Sequence, residues 1–102
     1  MIFETLYESK KRGELLLIDG GMCHWHLRKD GQVTIREIFS TRPGAGREMV
    51  DWLKTHSRGW CLFAKCPVDL TANEFYYRLG FALEGQETTK TGRKLNLWRL
   101  QL

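Results

Sequence analysis

Apolar residues recur along the chain with two different periods, and the switches between those periods predict the order of its elements. Phe3, Leu6, Tyr7 and Lys10 share one helical face, and Lys10-Lys11-Arg12 followed by Gly13 supplies a basic last turn and a stop, so a first helix is predicted. Glu14 to Asp19 is a short apolar run closed by Gly20-Gly21, and Met22 to Arg28 is a second strand. Lys29-Asp30-Gly31 then turns a hairpin into a third strand, Val33 to Ser40. Met49, Trp52, Leu53 and His56 mark one face of a helix that should stop near Arg58-Gly59. Trp60 to Cys66 is a buried strand ended by Pro67. The clearest helical face, Ala72, Phe75, Tyr76 and Leu79, ends at Gly80. Phe81 to Glu87 and Leu95 to Leu100 close the chain as a hairpin through Lys90-Thr91-Gly92.

Meandering antiparallel strands followed by a crossover helix into a further strand imply an α/β protein whose mixed sheet is flanked by helices. At 102 residues the chain is expected to form one domain over 1–102, with a single core. No run approaches the roughly 20 apolar residues of a membrane span, and Met1-Ile2-Phe3-Glu4 does not read as a signal peptide, so a protein of the cytoplasm, without membrane contact, is expected. The three cysteines are odd in number and lack the dense spacing of a secreted scaffold, which predicts reduced thiols. A net charge of +4 suits an anionic cofactor or an acidic partner.

Phe39-Ser40-Thr41-Arg42-Pro43-Gly44-Ala45-Gly46-Arg47-Glu48 reads as a strand passing through a glycine-rich turn into the first turn of a helix. Such a turn leaves several N–H groups pointing one way with the positive end of a helix dipole behind them, a setting for phosphate. The dinucleotide fingerprint is not met, since Val50 and Asp51 stand where a further glycine would be needed, and no Gly-Lys-Ser/Thr of a Walker loop occurs. A second segment, Ala72-Asn73-Glu74-Phe75-Tyr76-Tyr77-Arg78-Leu79-Gly80-Phe81, lies downstream.

Together the two segments resemble the GNAT family of N-acetyltransferases. In that family an acid-bearing strand leads into a loop of the form Gln/Arg-x-x-Gly-x-Gly/Ala at a helix start. Glu37 to Ser40 is similar to that strand and Thr41 to Gly46 to that loop. The pattern Ala-Asn-x-Phe-Tyr-x-x-x-Gly-Phe is met at each specified position from Ala72 to Phe81. The chain departs from the family at Thr41, where Gln or Arg is usual, and in a shorter turn before the glycines. The likeness covers about Val33 to Phe81, and with a short N-terminal part the chain resembles a minimal member. It implies the GNAT acyl-CoA N-acyltransferase fold, in which two neighbouring parallel strands splay apart, here Val33 to Ser40 and Trp60 to Cys66, to admit pantetheine. It also implies acetyl-CoA as cosubstrate. Backbone groups of Ile38 and Ser40 would hold the pantetheine amides, and N–H groups from Arg42, Gly44, Ala45, Gly46 and Arg47 the pyrophosphate, with the Arg42 or Arg47 side chain substituting for the missing first-position contact. Asn73 would bond the pantetheine arm or a water beside it, or act as a local cap.

Acetyl transfer to an amine needs a proton acceptor, because a lysine-like amine with a pKa of about 10.4 is almost wholly protonated at neutral pH. It also needs donors for the tetrahedral oxygen and an acid for the leaving thiolate. Glu37 is the candidate base, by its place in the resemblance and because its neighbours Ile35, Ile38 and Phe39 are expected to desolvate it. The competing reading is a surface carboxylate paired with Arg28 or Arg36. His24 and His26 compete as bases with unperturbed imidazoles. Tyr76 is placed by the resemblance as the acid, against a plain core role on the apolar helix face; Tyr77 points away. Cys23, Cys61 and Cys66 have no paired base, so attack directly by the amine in a ternary complex is expected rather than an acetylated cysteine.

Strand alternation sends Cys23 to the face opposite His24 and His26 and separates Cys61 from Cys66, which argues against zinc. A different class of reading is an inactive GNAT-like domain that binds protein or nucleic acid through Trp25, Trp52, Trp60 and Trp98 with Lys90, Arg93, Lys94 and Arg99. The sequence is read as an acetyltransferase for a primary amine on a protein lysine, an N-terminus or a small molecule, with a homodimer as one way of completing its acceptor cleft.

Overall fold

A computed structural model describes residues 14–102; the helix expected around Phe3 to Arg12 lies outside the described residues. The elements run β1 (Leu15–Ile18), β2 (Gly21–Leu27), β3 (Gln32–Ser40), α1 (Ala45–His56), β4 (Cys61–Pro67), α2 (Ala72–Arg78), β5 (Ala82–Thr88) and β6 (Lys94–Gln101). The six strands form one mixed sheet in the order β1-β2-β3-β4-β6-β5. β3 and β4 are parallel and every other pair is antiparallel. This follows from connectivity, since hairpins join β1, β2 and β3, while α1 is the crossover that a parallel neighbour requires.

Alternation along the strands decides what each face does. The row Leu16, Cys23, Ile38 points to the helices and packs in the core, as do Trp25 and Ile35. The neighbouring row Leu15, His24, Glu37 points the other way. α1 seats Ala45, Met49, Val50 and Leu53 on the core at helical spacing and turns Glu48, Asp51 and Lys54 outward. Fully burying side chains such as Met49, Val50 and Leu53 contributes about 1.5–3 kcal/mol each. The helix stops where the Ser57 N–H bonds the Leu53 carbonyl and Arg58 takes a left-handed φ of 64°. α2 adds Tyr76 to the same core, its ring 5.2 Å from Phe81 and 6.3 Å from Trp98. The described residues thus share one hydrophobic cluster, with both helices on one face of the sheet.

Three groups in that cluster set an alkaline limit to stability. Burial pushes the Cys23 thiol from 9.0 up to about 12, burial and then Asp69 raise the Cys66 thiol, and burial likewise raises the Tyr76 phenol, with Cys66 and Cys23 adding to the rise. The unfolded chain therefore loses these protons first. Their contribution is complete below pH 9, the ordinary thiol value, and declines as pH rises toward the folded values, by on the order of 1 kcal/mol per pH unit for each thiol over the first part of that window. Urea midpoints should fall from about pH 9 upward, and Cys23→Ala should make that fall shallower over the first unit of the window, the Cys66 thiol accounting for what remains. A wild-type midpoint that falls no more steeply than the variant's there contradicts the assignment.

Candidate functional site

The sheet comes apart at its centre. β3 and β4 pair over only four positions, from Gln32 opposite Cys61 to Ile35 opposite Ala64. Beyond them β3 continues to Ser40, held by β2, and β4 continues to Pro67, held by β6. The two strands thus diverge with backbone groups facing a gap. A bulge explains the divergence. Trp25 pairs with Ile35 but His24 pairs with Glu37, so Arg36 is an extra residue on β3 at the point of parting. An inserted residue bends its strand and increases the local twist. Backbone left open in this way can accept an extended ligand as if it were a further strand.

The gap runs into a cleft on the helix side. Ile38, Ser40, Gly46, Ala72 and Phe75 line a cavity of about 220 Å³. Ser40, Gly46 and Phe75 also border a second cavity of about 410 Å³ that extends over Arg42, Pro43, Gly44, Arg47, Thr71, Glu74 and Arg78. The two are parts of one cleft that begins at the splay and ends at the N-terminus of α1. That terminus is built for an anion. Gly44 precedes the helix at φ 85°, a conformation that favours glycine, and no side chain caps the helix. The first helical bond runs from the Glu48 N–H to the Gly44 carbonyl, so the Gly46 and Arg47 N–H groups precede the helical ladder with the dipole behind them.

The residues expected at the site divide into those that meet at the cleft and those that do not. Ile38, Ser40, Arg42, Gly44, Gly46 and Arg47 border it, whereas Ala45 is buried in the core. Gly46 serves a purpose other than leaving room for phosphate. A Cβ there would lie 2.7 Å from the Phe75 ring, so its lack of a side chain lets α1 and α2 approach. The Arg42 guanidinium is turned back, donating to the Asp19 carbonyl at 2.9 Å and to Glu48 at 2.8 Å. Arg47 is exposed and makes no ion pair among the described residues, which makes it the cation of this loop best able to meet a ligand.

Asn73 is committed elsewhere. Its amide nitrogen donates to the carbonyls of Pro67 at 2.9 Å and Leu70 at 2.7 Å, and its oxygen accepts from Asn96 and Trp98, each at 2.9 Å. The side chain brackets the loop before α2 to β6. Glu37 is exposed on the sheet face away from the helices, two residues past the last β3–β4 pair. Of the neighbours expected to bury it, Ile35 and Ile38 point to the other face, and Phe39, on the same face, is itself exposed. Nor does Glu37 pair with Arg28, which binds Asp30 at 2.9 Å. Tyr76 lies beneath the opposite face with its ring buried, and the phenol is held protonated by burial.

Of the competing bases, His24 is buried and His26 is bound to Glu14. The four tryptophans form no common surface, since Trp25 and Trp98 are core residues and Trp60 is exposed, its indole N–H bonded to the Asp30 carbonyl. Thr71, Glu74, Phe75 and Arg78, which sequence reasoning did not assign to the site, line the cleft. Their signal was present, as their spacing of i, i+3, i+4 and i+7 marks one face of α2.

No family model matches the sequence, and no curated protein matches it. Solved structures do match. A GNAT-family protein of Desulfovibrio desulfuricans is 21% identical with a TM-score of 0.69, aligning 80% of this chain with 60% of that one. The ribosomal-protein-S18-alanine N-acetyltransferase of Escherichia coli is 18% identical with a TM-score of 0.69, over 96% of this chain and 76% of that one. An aminoglycoside 6'-N-acetyltransferase solved with coenzyme A is 12% identical with a TM-score of 0.74, over 92% and 76%. Against four of the matched structures the chain spans between 56% and 63% of the other protein's length. At these identities the likeness is one of architecture: the chain has the fold of the GNAT acetyltransferases.

Proposed function

We propose that the chain is an acetyl-CoA-dependent N-acetyltransferase in which a primary amine attacks the thioester directly in a ternary complex. The observation that carries this reading is the parting of β3 and β4 after Ile35 and Ala64 into a cleft that ends at the bare N-terminus of α1. The amides of the pantetheine arm complement the open edge at Ile38 and Ser40. The pyrophosphate suits the Gly44 to Arg47 turn, with the Arg47 and Arg78 side chains within the same cleft. Acetyl-CoA supplies the activated acyl group. Glu37, on one face of the splay, takes the proton of the amine, directly or through water. Tyr76, under the other face, keeps its proton at neutral pH and is the donor nearest in kind to what the leaving thiolate requires. Asn73 holds the scaffold. The three buried, unpaired cysteines suit a reducing compartment such as the cytoplasm.

Arg47→Glu tests the phosphate end. The residue is exposed, so the variant should melt as the wild type does. Its affinity for acetyl-CoA, read by calorimetric titration, should fall at least about tenfold through loss of a charge-assisted contact and repulsion. An unchanged affinity places the phosphates elsewhere.

A further inference from the structure

The face of the sheet opposite the helices carries two adjacent rows of side chains beside the splay. One is Leu15, His24 and Glu37. The next, one step toward the open end, is Leu17, Met22 and Phe39, joined by the pairs Leu17–Met22 and Met22–Phe39. This row lies on the face away from the core, yet it is wholly apolar. Leu17 is 56% exposed and Phe39 62% exposed. Three strands at about 4.8 Å spacing make the row about 10 Å wide, and Phe39 stands about 7 Å from Glu37 along β3. Large exposed apolar side chains such as Leu17 and Phe39 beside a candidate reaction centre mark a contact surface.

The charges define what fits it. Glu37 makes no ion pair among the described residues, whereas the other carboxylates of that face are engaged, Glu14 with His26, Glu84 with Arg99 and Glu87 with Lys65. Arg36 stands exposed next to Glu37. One ammonium is complemented here, and a polycation is not. In an extended peptide, at about 3.4 Å per residue, the α-amine and a large second side chain stand about 6–7 Å apart, which matches the offset from Glu37 to Phe39.

Resting on the acetyltransferase reading, we propose that Leu17, Met22 and Phe39 select as acceptor a peptide α-amine followed by a large apolar second residue. The test compares the amidated tetrapeptides Ala-Phe-Ser-Gly and Ala-Asp-Ser-Gly, an Nα-blocked lysine peptide and kanamycin, following release of the CoA thiol. The first should be preferred by at least about tenfold in kcat/KM, and Phe39→Ser and Leu17→Ser should each remove most of that preference. Equal rates on the two tetrapeptides, faster transfer to the blocked lysine peptide or to kanamycin, or a preference that survives both substitutions overturns the proposal. Fluorescence anisotropy of the two tetrapeptides, labelled at their C-termini, reads the surface without catalysis. If no acceptor reacts, tighter binding of the Ala-Phe peptide that is lost in Phe39→Ser supports the row while the transferase reading fails. Equal binding overturns the row as well.

Discussion

Replacing Glu37 by glutamine should lower kcat for acetyl transfer by about two to three orders of magnitude near neutral pH while leaving the affinity for acetyl-CoA unchanged. The two readouts separate because Glu37 lies on the sheet face away from the helices, whereas the cleft that ends at α1 lies on the helix side. The side chain is exposed and unpaired among the described residues, so its amide should not alter the melting temperature. The deficit should depend on pH in a diagnostic way. With the proposed α-amine acceptor, whose pKa is about 7.7–8.0, most of the acceptor is already neutral above that range and the need for a base weakens. The ratio of wild-type to variant kcat should therefore shrink between pH 7 and pH 9. A ratio that stays near one at pH 7 removes Glu37 from the reaction and leaves water as the proton acceptor.

Asn73→Ala should be strongly destabilising, and its effect should be on folding rather than on cofactor affinity. It deprives the Trp98 indole N–H and the Asn96 amide of their acceptor and two loop carbonyls of their donor. Leaving such groups unsatisfied costs about 1–3 kcal/mol each where they are buried. With part of the network exposed, a total of about 2–4 kcal/mol corresponds to a fall of roughly 10–20 °C in melting temperature for a chain of this size. Asn73→Asp, which keeps the acceptor but sets an anionic oxygen against the Pro67 and Leu70 carbonyls, should not recover the loss. Calorimetric titration of the folded variant should return nearly the wild-type Kd for acetyl-CoA. A stable Asn73→Ala protein with strongly weakened binding would instead restore the ligand contact that the resemblance implies.

These two residues show what a sequence conveys about such a site. Alternation and helical spacing located all six strands and both described helices to within a few residues, since each element's pattern is local. The order of hairpins and crossover made a mixed sheet legible, whereas the splay between Val33–Ser40 and Trp60–Cys66 was implied by the family resemblance. What lay beyond reach depends on contacts distant in sequence. Asn73 meets Asn96 and Trp98 more than twenty positions later, and Gly46 meets Phe75. Arg42 turns back to Asp19 across the β1–β2 turn. The bulge at Arg36 has no composition signal of its own, yet it bends β3 where it leaves β4 and sets on which face Glu37 emerges. A run of apolar neighbours therefore suggested a desolvated carboxylate where the pleat exposes one.

The central claim is that acetyl-CoA lies in the splay with its phosphates at α1, and an amide-resolved NMR titration of the chain with acetyl-CoA tests it most directly. The account predicts saturable shifts concentrated at Ile38, Ser40, Gly44, Gly46 and Arg47, with the outer strand β5 unmoved. A folded protein whose spectrum does not change at millimolar acetyl-CoA, or whose shifts cluster away from the splay, contradicts it.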